Sequence, residues 1–390
     1  MKRRHLLIAA AAGLGLLASA GAYAQQTVKI GLILPMTGPF ASTGRQIEGL
    51  TKLDMAQNGN MVAGKKVELI VKDDTGVADV TKRIAQELVV NEKVSVLAGF
   101  GLTPLALATA PIATQAKVPM IVMAAATSII TEQSPYIVRT GFTLPQVTAP
   151  LAEWAPKNGI KKVVTLVTDY GPGHDAEKAF KEGFTKGGGQ VLAELRVPLQ
   201  NPEFAPFLQR AKDARPDALF VFVPSGAGSA VMKQFAERDL AKDGIRLIAT
   251  GDVLDDDILN GMGDVALGVV SSHHYSAAHN SPENKALVEA FKKSNNMRPN
   301  FHGVGGWDGM HLIYQALKKT NGDADGTKLL DAMKGQSWTS PRGPVMIDPE
   351  TRDIVQNVFI RKVEKVNGEL FNVEFATVEK VKDPVKAAKK

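Results

Sequence analysis

Residues 97–127, LAGFGLTPLALATAPIATQAKVPMIVMAAAT, constrain the fold of this chain more than any other stretch. Residues 94–98 are a short apolar run suited to a buried strand. Gly99 and Gly101 loosen the backbone into a loop. Residues 105–115 carry apolar side chains at helical spacing among many alanines, and residues 118–123 form a second buried run. Ala124, Ala125, Ala126 and Thr127 make a second loop. This is a βαβ unit, and both loops fall at the carboxyl ends of parallel strands, the edge where open α/β sheets bind ligands. The first loop opens a helix, whose unpaired backbone N–H groups favour an anion. Thr103 and Thr127 add hydroxyls at the same edge, and neither loop carries a charge. The pattern suits a small carboxylate held by neutral donors; the alternative is a βαβ unit whose loops bind nothing.

The same alternation runs through the rest of the chain. Residues 28–34, 67–73, 94–98 and 118–123 read as strands, with helices over 44–58, 77–91 and 105–115 between them. A break is expected over 135–148. A second series then follows, with strands at 161–168, 190–197, 218–223 and 245–250 and helices at 175–186, 204–214 and 229–238. Each strand ends in a small or polar loop, such as Asp169-Tyr170-Gly171 or Pro224-Ser225-Gly226. Helices are expected over 282–293, 306–319 and 329–334. Residues 345–381 alternate as antiparallel strands do, and the charged end, 382–390, is expected to fray. The prediction is α/β, with two lobes in 390 residues.

The first residues, MKRRHLLIAAAAGLGLLASAGAYA, read as an export signal: a basic start, an apolar core over 6–18 and Ala22-Tyr23-Ala24 as cleavage site. The core is short for a membrane span. The formal net charge of +6 falls by three on removal of Lys2, Arg3 and Arg4, too little to argue for nucleic acid. Absence of Cys excludes disulfides, thiolate metal sites, a cysteine nucleophile and lipid attachment on cysteine. An exported, cysteine-free chain points to a Gram-negative periplasm.

Two clusters suggest metals. Asp252, Asp255, Asp256 and Asp257 lack the glycine and closing glutamate of an EF-hand, so a solvated helix start is expected there. His273 and His274 are expected on opposite sides of a strand, which prevents them from sharing one ion, with or without His279. No metal and no cofactor are expected.

The segments VKIGLILPMTGPFASTG, NEKVSVLAGFG, PMIVMAAATS, YIVRTGF, TDYGPG and GGWDGMHL, in that order, carry a resemblance over nearly the whole mature chain. The chain resembles the periplasmic solute-binding proteins of the leucine/isoleucine/valine-binding type, which serve ABC importers. The resemblance implies two Rossmann-like lobes, joined by a three-crossing hinge and closing on a ligand, the type I periplasmic binding protein fold. It divides the chain into 1–24 signal peptide, 25–138 and 273–352 for lobe 1, 139–272 and 353–381 for lobe 2, and 382–390 as tail. It places ligand contacts at Leu102, Thr103, Ala125 and Thr127 for a carboxylate, and at Tyr170 and Asp252 from the second lobe. Thr43, Pro224, Ser225 and His302 fall near other lining positions. Leu102 stands where a small hydroxyl residue is common, leaving only its backbone to help, and Thr43 stands where an aromatic is common.

Two function classes follow. One is a binding module that delivers a small carboxylate to the membrane permease subunits of an ABC importer, working as a monomer without nucleic acid. Asp252 ranks an apolar amino acid first, through its ammonium group, while Thr43 and Leu102 admit an aromatic or keto acid. The other is an exported enzyme, against which stands the absence of G-x-S-x-G, H-E-x-x-H, P-loop and G-x-G-x-x-G patterns from the mature chain.

Overall fold

A computed structural model gives the fold, described for residues 27–389. The expected export signal lies outside the described residues. Among the described residues no helix is long and apolar enough to cross a membrane.

The first lobe is built on β1 (Thr27–Leu34), β2 (Met61–Val62), β3 (Lys65–Asp73), β4 (Val96–Gly99), β5 (Met120–Val122) and β6 (Ile137–Arg139). Their spatial order is β2-β3-β1-β4-β5-β6, parallel except for the short β2. Helices α1 (Ala41–Asn58), α2 (Ala78–Val90) and α3 (Thr103–Ala116) make the crossovers. Gly99 is required where β4 ends: its φ is +110°, and a Cβ there would stand 2.3 Å from the Ile33 carbonyl oxygen. Phe100 follows in a left-handed conformation, φ +68°, a strained state for a bulky residue. Two backbone bonds hold it, Phe100 N–H to Ile33 O and Ala125 N–H to Phe100 O, at 3.0 and 2.9 Å.

The expected break over 135–148 is instead structured at both ends. Its first part is β6, the outer strand of the first sheet. Its second part opens α4 (Leu144–Lys157), capped by a reciprocal Thr143–Gln146 box. Three prolines inside 144–157 mask this helix in the sequence, but one stands in the first turn, where the missing N–H costs nothing.

The second lobe uses β7 (Lys162–Thr168), α5 (Gly171–Lys186), β8 (Gln190–Val197), α6 (Ala205–Asp213), β9 (Ala218–Phe222), α7 (Gly228–Glu237), β10 (Arg246–Thr250), α8 (Leu259–Met262) and β11 (Val270–His273). The chain then returns to the first lobe with α9 (Pro282–Asn295), α10 (Phe301–Lys319) and α11 (Gly326–Met333). It finishes with β12 (Ser337–Ser340), β13 (Gly343–Ile347), β14 (Ile354–Val366), β15 (Glu369–Val381) and α12 (Pro384–Ala387). The second sheet runs β12-β13-β14-β11-β10-β9-β7-β8, with β15 on β14. Its first two strands belong to the hinge: Val345 and Ile347 pack in one apolar cluster with Val28, Ile30 and Leu32 of β1. The chain crosses between lobes three times, after β6, after β11 and between β13 and β14.

The tail is not frayed. Asp383 caps α12, and Lys386 is buried, bonded to Asp353 and Thr131. Periodicity carries no information on so short a helix, and a lysine that snorkels into an ion pair reads in sequence as a solvated one.

Candidate solute-binding cleft

Carboxyl ends of the central strands of both sheets face one another. From the first lobe, Phe40 and Thr43 follow β1, Gly101, Leu102 and Thr103 follow β4, and Ala124, Ala125 and Ala126 follow β5. From the second, Tyr170 and Pro172 follow β7, Phe222, Pro224 and Ser225 end β9, and Asp252 follows β10. Phe142 and Leu144 enter from the first hinge crossing, and His302 from the start of α10. The empty space among them, part of it open to solvent, is about 360 Å³. Every residue marked from the sequence lines this space except Thr127, which stands one layer behind.

Thr127 works through Thr103. Their hydroxyl oxygens are 2.8 Å apart, and both side chains are buried. One hydroxyl of the pair donates to the other, which leaves a single O–H for a ligand. Thr103 opens α3, whose N-terminus has no side-chain cap. A carboxylate there meets a hydroxyl and the positive end of a helix. A charge does stand behind this cradle: buried Arg139 donates from Nη2 to the Thr127 carbonyl at 2.7 Å and from Nη1 to that of Phe142 at 3.1 Å. Thr103→Ala is expected to weaken binding of a carboxylate ligand roughly ten- to a hundredfold, since a hydrogen bond to a charged group contributes ~1.5–3 kcal/mol. Thr127→Ala, which frees the Thr103 hydroxyl to rotate, is expected to cost less. Calorimetry checks both, and unchanged affinity in Thr103→Ala would remove the cradle from the site.

The second-lobe wall is acidic and ring-lined. Tyr170 stacks on Phe222, centroids 6.1 Å apart at an interplanar angle of 13°. Asp252 is 3% exposed, and its Oδ2 stands 3.5 Å from His273 Nε2, too far for a strong hydrogen bond. No hydrogen-bond donor among the described residues serves that oxygen. Burial pushes the His273 imidazole down to about 4 and the His302 imidazole down to about 3, with Asp252 opposing in each case. Burial, then the Asp252 charge, raises the Tyr170 phenol well above its ordinary range. The imidazoles are therefore neutral at ordinary pH, each with one donor and one acceptor. His302 Nε2 bonds Ser225 Oγ at 3.1 Å, joining the two lobes across the cleft.

Two sequence expectations fail here. Asp255 and Asp256 do not start a solvated helix; both are buried, and burial raises each carboxyl above its usual range. Asp256 Oδ1 takes Asn372 Nδ2, and Asp256 Oδ2 takes the Ala277 N–H. His273 and His274 do not diverge: β11 ends at His273, so strand alternation does not reach His274, and both rings pack on Phe142 with centroids 4.5 Å from each other. No group of His, Asp and Glu among the described residues is arranged to hold a metal. The lining residues that motifs did not single out are Phe40, Phe142, Leu144, Pro172 and Phe222. Each stands within a few residues of a strand end, the one signal that could have found them.

Two α/β lobes meeting over a small cleft between strand ends are the build of a solute-binding protein. Comparison with known proteins agrees. The profile of the family described as "Periplasmic binding protein" matches residues 27–368, and the chain belongs to that family, whose site of action is the periplasm. Leu/Ile/Val-binding protein homolog 6 of Brucella abortus (strain 2308) is 45% identical over 373 residues, covering 94% of this chain and 95% of that one. A solute-binding protein of an ABC transporter from Rhodopseudomonas palustris BisB5, solved in complex with 3,4-dihydroxybenzoic acid, is 65% identical. It has a TM-score of 0.91 and covers 92% of this chain and 99% of its own. Its counterpart from Rhodopseudomonas palustris HaA2, solved with p-hydroxybenzoic acid, is 43% identical, with a TM-score of 0.90 over 94% of this chain and 100% of that one. The chain is the solute-binding component of an ABC transporter.

Proposed function

We propose that the solute is a hydroxylated benzoate, captured after export through the N-terminal signal and handed to the permease as the lobes part. The carrying observation is the buried Asp252 carboxylate, with an oxygen that lacks a donor, set in a ring-lined pocket that also holds the Thr103 cradle. A ring hydroxyl supplies that donor. A hydroxyl para or meta to the carboxylate also keeps ligand and protein anions at opposite ends of the ring. Benzoate itself would leave Asp252 unpaired, at the desolvation penalty of a buried charged group. Tyr170, Phe222 and Phe142 line the pocket with aromatic surface suited to a ring. The 65% identical relative, solved with 3,4-dihydroxybenzoic acid, supports the same class.

The sequence alone ranks an apolar amino acid first, and Asp252 pairs equally well with an ammonium. The two readings separate by experiment. A thermal-shift screen of 4-hydroxybenzoate, 3,4-dihydroxybenzoate, benzoate and leucine is expected to raise the transition with the hydroxybenzoates, by linkage worth ~2.7 kcal/mol at a hundred times the dissociation constant. Asp252→Asn keeps an acceptor for a phenol, so hydroxybenzoate affinity is expected to stay within about tenfold, the gap between a neutral and a charge-assisted bond. A zwitterion would lose most of its affinity. A transition raised by leucine and by no hydroxybenzoate would replace this reading with the amino-acid one.

A further inference from the structure

The chain end supplies a link that the three covalent crossings do not. Residues 382–389 continue from β15, which is paired in the second sheet, and lie against the 3-10 turn Ser128–Glu132 of the first lobe. Lys386 Nζ bonds Thr131 Oγ1 and Asp353 Oδ2, and the Ser128 hydroxyl donates to Asp383. Lys389 pairs with Glu132 at 2.7 Å on the outer side. Lys386, Asp383, Asp353, Ser128 and Thr131 are each no more than 5% exposed.

This network ends at the pocket. Asp353 stands in the third crossing and pairs through Oδ1 with Arg139 Nε at 3.2 Å in the first crossing. Arg139 holds the carbonyls of Thr127 and Phe142. Ser128, the residue after Thr127, donates its N–H to Asp175 of α5 at 2.8 Å, tying the first-lobe turn to the second-lobe helix that begins beside Tyr170. A chain of buried hydrogen bonds and ion pairs, Lys386 with Asp353 and Asp353 with Arg139, thus runs from the tail through two hinge crossings to the cradle.

We propose that residues 382–389 form a strap that holds the lobes in the closed arrangement and positions the Thr127 turn, with Lys386, Asp353 and Arg139 as positioning residues that never touch the solute. Opening moves the second lobe, and the tail with it, away from the Ser128–Glu132 turn, so these bonds must lengthen or break. Loss of the strap should therefore act on release more than on capture. The proposal rests on the reading of Thr103, held by Thr127, as the carboxylate cradle.

The test uses full-length variants with 4-hydroxybenzoate, and leucine as second probe, followed by stopped-flow binding and small-angle scattering. Lys386→Met is expected to speed dissociation about tenfold, leave association within about threefold, and enlarge the ligand-free radius of gyration. Lys386→Arg, which keeps the charge, is expected to restore both. Ser128→Ala removes one hydroxyl and no charge, and is expected to shift dissociation in the same direction by a smaller factor; it carries the test if Lys386→Met does not fold. Wild-type dissociation and radius in Lys386→Met, or in Ser128→Ala where it stands in, would overturn the strap, as would failure of Lys386→Arg to restore Lys386→Met behaviour. Thr103→Ala separates this from the pocket reading: wild-type binding there discards the cradle, while the radius of Lys386→Met still decides the strap.

Discussion

Gly171→Ala is expected to weaken solute binding by roughly a hundredfold, with a smaller effect on the stability of the ligand-free protein. Gly171 opens α5 at the cleft, and a Cβ on it would stand 2.7 Å from Thr127 Oγ1, across the gap between the lobes. Its backbone does not need a left-handed conformation, so alanine brings no intrinsic strain. The clash exists only when the lobes meet. Relief requires either a wider cleft or a displaced Thr127, and displacement disturbs the 2.8 Å pair with Thr103. Overpacking costs ~1–3 kcal/mol and a disturbed bond to a charged ligand a similar amount, which sets the hundredfold estimate. Removing the obstructing hydroxyl tests the cause: in Gly171→Ala with Thr127→Ala, part of the lost affinity should return, so the two effects do not add. Calorimetry on the four proteins, with melting curves taken without ligand, completes the cycle. Wild-type affinity in Gly171→Ala would show that the lobes do not approach this closely when the solute is bound.

Asp54→Asn is expected to stabilise the protein increasingly from about pH 4 to pH 7, fully above pH 7, and to leave it unchanged below about pH 3.5. Asp54 lies on α1 where α10 packs, fully buried, with Oδ2 unpartnered and Oδ1 accepting from Asn58 at 3.0 Å and standing 3.9 Å from His311 Nδ1. Burial, then the charge of Asp308, pushes its carboxyl up to about 7. An acid with a raised native pKa binds its proton more tightly folded than unfolded. The fold is therefore most favoured with the acid protonated, and loses stability as pH rises from the unfolded value through about 7. Asparagine imitates the protonated acid at every pH. The difference from the parent should be near zero below about pH 3.5, already measurable at pH 5, and level off at ~4 kcal/mol above pH 7, from about three units at 1.36 kcal/mol each. Measuring the difference between two proteins at each pH cancels the opposite slope from the buried neutral histidines. A difference that does not grow with pH would show that Asp54 ionises without cost.

The alternation of strands and helices was legible because β-branched and apolar runs at strand length are hard to place anywhere but a parallel sheet. Strand ends located the pocket for the same reason: Thr103, Tyr170, Ser225 and Asp252 all follow strands whose apolar character is plain. What was not legible lies where pattern and environment part company. α4 carries prolines that read as a break. Asp255 and Asp256 look solvated because acids almost always are, and only the fold reveals Asn372 and Arg361 beside them. His274 escaped strand geometry because β11 is one residue too short to include it. The tail's burial depends on Asp353, Ser128 and Thr131, far away in sequence. Local patterns report local structure; pairings of distant polar groups leave no periodic trace.

The neutral imidazoles of His273 and His302 carry a consequence for a protein working outside the cytoplasm. Water beyond the inner membrane takes on the acidity of the surroundings, and an ordinary histidine in the pocket would change charge whenever the medium soured. Here the rings accept a proton only at about 4 and about 3, below the range in which a histidine left in water switches. His302 in the pocket and His273 beside Asp252 thus keep one fixed pattern of donors and acceptors over that whole span.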